Sequence, residues 1–79
     1  MISYKPLKKL LIDYDIKTID LINDKILTPT NSVYINNDTG YINLRTINRL
    51  CNYLSDRISK DVLISDILLF IQDDTQRKE

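Results

Sequence analysis

The chain has no histidine, a single cysteine, a single glycine and no excess of either charge. Without histidine, the commonest general base and the commonest metal ligand are both missing. One cysteine, Cys51, rules out an intrachain disulfide. Lacking a histidine partner, it is no activated nucleophile, and its apolar neighbours predict a buried core thiol in a reducing, cytoplasmic setting. A lone glycine, Gly40, excludes a glycine-rich phosphate loop. The carboxylates form no working pair. Asp13 and Asp15 point in different directions on a helix, and Asp20 and Asp24 read as a solvated edge. Around Asn37-x-Thr39-Gly40, Ile35 stands where a calcium loop needs its first acidic ligand, and no glutamate closes the loop. No catalytic residue, metal site or cofactor is therefore expected.

Charge narrows the partners further. Eleven basic residues balance eleven acidic ones, with a pI near 6.2. A strongly basic nucleic-acid binder has a pI above about 9. Local asymmetry remains, because Lys5, Lys8 and Lys9 precede a run that is mostly acidic from Asp13 to Asp24. No run approaches the roughly 18 apolar residues of a membrane span. The first residues are too polar for a signal peptide, so neither a membrane partner nor a leader is expected.

What the chain does have is leucine and isoleucine at helical spacing. Its 79 residues suffice for one small domain, placed at 1–72, with a flexible charged tail at 73–79. Pro6 suits a first helical turn, and Leu7, Leu10, Leu11 and Tyr14 follow at i, i+3, i+4, i+7. Thr18 reads as the N-cap of a short second helix with Leu21, Ile22 and Ile26 inward, and Asp20 near its start suits the helix dipole. Thr28-Pro29 starts a third helix running to about residue 36. Asn43 reads as the cap of a fourth helix, whose inner face is Leu44, Ile47, Leu50, Cys51 and Leu54. From Ser59 a fifth helix is expected, with Val62, Leu63, Ile67, Phe70 and Ile71 as its stripe. Ile64, Leu68 and Leu69 fall partly off that stripe.

The segment from 32 to 44 reads two ways. Asn37-Asp38-Thr39-Gly40 is a turn with Gly40 at positive φ. On propensity, Ser32–Asn36 and Tyr41–Leu44 pair equally well as a β-hairpin across that turn, giving an α+β winged domain. Local preference leaves helix and hairpin equal.

The order of several short patterns resembles the Cro/repressor-type, or xenobiotic-response-element-type, helix-turn-helix family. ISYKPLKKLLID is similar to the first helix of a small bacterial subgroup. Lys17-Thr18-x-Asp20-Leu21 is similar to the start of the family's second helix, and Thr28-Pro29-Thr30-Asn31 to the start of its recognition helix. Leu44-x-x-Ile47-x-x-Leu50-Cys51-x-Tyr53-Leu54 resembles the fourth helix, and Ile58-x-x-Asp61-Val62-Leu63 the segment after it. Together these run from Ile2 to Leu63. The resemblance implies an all-α, compact five-helix domain of the lambda-repressor-like, Cro-like kind. Two departures fall in the recognition helix: Ser32 replaces an apolar residue, and Tyr34 stands where a lysine or arginine is frequent. The loop after it is about one residue longer.

By this resemblance, the third helix enters the major groove of double-stranded DNA. Thr30, Asn31, Tyr34 and Asn37 are then the candidate base contacts. Asparagine pairs with adenine and threonine methyls meet thymine methyls, which suits an A·T-rich operator. Lys17, Thr18, Thr28 and Arg45 are the candidate phosphate contacts. Lys5, Lys8 and Lys9 read as solubilising charges. Two or three neutralised phosphates per subunit give weak binding, so a homodimer is expected. Ile64, Leu68, Leu69 and Phe70 can supply its interface, or else fill the core. The competing partner is a host or phage protein. Small phage and mobile-element antagonists share this fold, and Tyr34 and Tyr41 beside an uncharged loop suit a protein contact if they are exposed together.

Overall fold

The structure is a computed structural model that describes residues 1–72. The charged tail expected at 73–79 lies outside the described residues. In chain order the elements are β1 (Ile2–Ser3), α1 (Lys5–Asp13), α2 (Thr18–Asn23), α3 (Pro29–Asn37), α4 (Leu44–Ile58), α5 (Ile64–Ile67) and β2 (Leu69–Phe70). The domain is mostly helical with five helices, and residues 32–36 are helical rather than one arm of a hairpin. The strands lie elsewhere. β1 and β2 pair antiparallel, Ile2 opposite Phe70 and Ser3 opposite Leu69, so the two ends of the domain meet.

Three helix starts, those of α1, α3 and α4, have a local cause. Pro6 sits in the first turn of α1, where its missing N–H costs nothing. The N-cap of α2 is Lys17 rather than Thr18, and no side chain bonds to that end. Thr28 and Asn31 form a reciprocal capping box on α3: the Asn31 N–H donates to Thr28 Oγ1 (3.1 Å) and the Thr28 N–H to Asn31 Oδ1 (3.1 Å). Asn43 caps α4 by accepting from the Thr46 N–H at 2.8 Å.

Leucine and isoleucine from every helix meet in one core. Leu7 and Leu11 of α1, Leu21 of α2, Ile35 of α3, Leu50 and Leu54 of α4 and Ile67 of α5 are all buried. Tyr4, Leu27 and Ile42 seal the core from the connections. α1 packs against both α5 and α3. Five residues expected on inner faces are instead exposed: Tyr14, Leu44, Leu63, Phe70 and Ile71. Leu44 is the first residue of α4 and is 76% exposed.

The C-terminal third differs most from expectation. Ser59 adopts a left-handed conformation (φ 59°) and ends α4 instead of starting a new helix. The Ser55 hydroxyl then organises the connection, donating to the Cys51 carbonyl (2.7 Å) and accepting from the Val62 N–H (2.9 Å). That leaves room for a single turn of α5 before the chain becomes extended. Phe70 and Ile71 therefore stand exposed instead of completing a helical stripe. Cys51 is half-buried rather than a closed core thiol. Burial, with Asp66 second, raises its pKa, which keeps it protonated.

Candidate nucleic-acid interface

α2 and α3 form the helix-turn-helix pair. The turn between them is tight because Lys25 takes a left-handed conformation (φ 62°). The Leu21 carbonyl then accepts from the N–H groups of both Ile26 (2.9 Å) and Leu27 (3.2 Å). Leu27 is buried behind the turn. α4 backs the same turn. Arg49 donates to the Lys25 carbonyl (3.4 Å), and Tyr53 donates to Asp24 (2.7 Å) while accepting from Arg57 (2.7 Å). The bond to Asp24 raises the Tyr53 pKa and keeps the phenol protonated.

The far end of α3 is held by a different device. Asp38 lies in a left-handed conformation (φ 54°) just past the helix. Its carboxylate accepts from the Tyr4 N–H (2.6 Å) and the Ser3 hydroxyl (3.0 Å). That carboxylate thereby caps the start of α1 while fixing the end of α3. The Tyr4 phenol completes the clasp, donating to the Gly40 carbonyl (2.9 Å) and accepting from the Ile42 N–H (3.0 Å). The Tyr4 N–H, then the Ser3 hydroxyl and the charges of Lys5 and Lys8, hold the Asp38 pKa below the usual carboxylate range against a smaller desolvation effect. Sequence reading placed Asp38 in a turn but not in this clasp. Its one local signal is an aspartate directly after a helix and two residues before the glycine.

Ile35 sets the rotation of α3 by turning into the core. The solvent side is then Pro29, Thr30, Val33, Asn36 and Asn37. Thr30 and Asn37 thus stand on the open face as expected. Asn31 is half-buried, and its side-chain carbonyl is occupied by the capping box. Tyr34 is half-buried too, and its ring lies against Gly40: a Cβ at residue 40 would come within 2.6 Å of Tyr34 Cδ1. Gly40 is required both by that contact and by its φ of 73°. Val33 was not among the residues expected on the face, yet it is 52% exposed in its middle. Its position follows once Ile35 is known to point inward.

The face itself carries no charge, and cations stand beside it. Lys8 of α1 donates to the Asn36 carbonyl (3.2 Å), so its ammonium sits at the C-terminal end of α3. There it complements the helix dipole. Lys17 is exposed before α2, 3.7 Å from Asp15. Thr18, the first residue of α2, shares a cleft with Lys8 and Asn36. Thr28 is exposed with its hydroxyl engaged in the cap. Arg45 is exposed on α4, one turn before Arg49 on the stripe that backs the α2–α3 turn. Of the four residues expected at a dimer interface, Ile64, Leu69 and Phe70 are exposed, and Leu68 packs partly onto the core. No group of three or more cysteines, aspartates or glutamates among the described residues is placed to hold a metal. No helix among them is long and apolar enough to cross a membrane.

Residues 6–73 match the family of Cro/C1-type helix-turn-helix DNA-binding domains. The chain belongs to that family. The match spans α1 through β2 and makes this a binding domain rather than an enzyme. No curated protein and no solved structure matches the chain.

Proposed function

We propose that the protein is a small sequence-specific transcriptional regulator that acts in the cytoplasm as a homodimer on an A·T-rich operator. The observation that carries this reading is the exposed, uncharged outer face of α3, set in the helix-turn-helix pair of a DNA-binding family. Thr30 and Asn37 face the base edges. Asn37 offers an amide that can accept from adenine N6 and donate to N7. Asn31 contributes through its free NH₂ group, and the inward Tyr34 supports the helix instead of touching a base. Lys17, Thr18, Thr28 and Arg45 hold phosphates, and Lys8 joins them at the other end of α3. Exposed Ile64, Leu69 and Phe70 supply apolar surface for the second subunit. Pairing places two α3 helices about 34 Å apart on a pseudo-palindrome.

The alternative, a protein-binding antagonist on the same scaffold, needs Tyr34 and Tyr41 exposed together. Tyr41 is 76% exposed, but Tyr34 is turned onto Gly40, which weakens that reading.

Titration against selected duplexes distinguishes the two. A regulator binds a short A·T-rich duplex saturably, with affinity that falls steeply between about 50 and 200 mM salt. Asn37→Ala should cost about 1–3 kcal/mol on the preferred site and relax its specificity. Absence of saturable duplex binding at the lower salt contradicts the proposal.

A further inference from the structure

We propose that Val33 is a specificity-determining residue that reads the C5-methyl group of thymine, which would make operator binding sensitive to the difference between thymine and uracil. The inference rests on the DNA-reading role proposed above and adds a residue and a chemical group to it. Val33 lies at the centre of the open face of α3, three residues after Thr30 and four before Asn37, so the three form one stripe. It is 52% exposed, while its neighbour on the other side of the helix, Ile35, is fully buried. The Val33 side chain lies outside the hydrophobic core cluster, and a β-branched residue on an exposed helix face weakens the helix slightly relative to alanine.

The chemistry of the stripe selects the ligand. No cation is present on it to donate to guanine O6 and N7 in the bidentate manner. It offers instead a hydroxyl and methyl at Thr30, a branched pair of methyls at Val33 and an amide at Asn37. In the major groove, only thymine among the four ordinary bases presents a methyl group. An A·T pair therefore offers both an apolar contact for Val33 and a hydrogen-bonding edge for Asn37. A protein ligand on the same face would also bury Val33, and the test separates that outcome.

The preferred duplex is selected first, and each thymine is then replaced singly by uracil. At one or two positions per half-site the replacement should weaken wild-type binding about three- to five-fold, the loss expected for one buried methyl. Val33→Ala should weaken binding to the thymine duplex by a similar factor and bind thymine and uracil duplexes alike at those positions. Val33→Thr, which keeps one methyl, should fall between. Thermal melts confirm folding of both variants, since alanine is the better helix former at an exposed site. If the duplex binds well and uracil is tolerated everywhere, the Val33 assignment falls and the regulator reading stands. If uracil sensitivity persists unchanged in Val33→Ala, another methyl such as that of Thr30 is the reader, and the assignment again falls. If no duplex binds, the assignment falls together with the reading beneath it.

Discussion

Helix α4 buries Ile47, Leu50 and Leu54 along one stripe, whereas α3 buries Ile35 alone. α4 runs 15 residues and α3 runs 9. The shorter helix is held mainly at its ends. At its start are the capping box and the tight turn at Lys25, and at its finish are Asp38, Tyr4 and Gly40. This division leaves the flank of α3 free of packing duties. α4 also exposes the face opposite its stripe, but α3 reaches the same exposure with one buried residue and two fastened ends. Polar end-fastening thus holds α3 while most of its flank stays open.

Substitutions on the two helices should separate burial from fastening. Leu54→Ala on α4 should destabilise the domain most, by about 2–5 kcal/mol, because it leaves a cavity at a fully buried site. Urea melts would measure this, and binding should fall only through the loss of folded protein. Tyr4→Phe should cost about 1–3 kcal/mol, since it leaves the buried Ile42 N–H without its acceptor. Unlike Leu54→Ala, it should also loosen the end of α3, seen as faster amide exchange from Ile35 through Thr39 at matched stability. Thr28→Ala should cost about 1 kcal/mol by removing the N-cap. Faster exchange confined to the first turn of α3 would confirm a local fastening.

Acid should produce the smallest effect. The folded-state pKa of Asp38 is lowered, so its contribution is fully present above the unfolded-state value of about 4. That contribution is lost as pH falls through the lower folded-state value. Asp38→Asn should therefore flatten the dependence of the melting temperature on pH below about 4. Unchanged pH dependence in the variant would remove the carboxylate from the clasp.

Much of the helical frame was legible in the sequence because its signals are local. Thr28-Pro29 and Asn43 announce helix starts within a few residues, and the i, i+3, i+4 spacing of Leu7, Leu10 and Leu11 needs no distant partner. What escaped depends on contacts far along the chain. Asp38 earns its role from Ser3, 35 residues away. Leu69 and Phe70 look like the end of an apolar helix until Ile2 and Ser3 are available to pair with them. The open face of α3 lies about one residue of helix rotation from the expected one. Asn31 and Tyr34 looked outward in the sequence, but burying Ile35 turns them partly inward and brings Val33 out. One buried residue sets that rotation, and no local rule distinguishes Val33 from Ile35 as the one to bury.

The central claim is that the open flank of α3 meets DNA. Its most direct test is a map of amide and methyl chemical shifts as the selected duplex is titrated into the labelled protein. The largest changes should fall at Thr30, Val33 and Asn37, with smaller ones at Lys8, Lys17 and Arg45. Changes centred instead on Tyr41, Leu44 and Leu63, with α3 undisturbed, would contradict it.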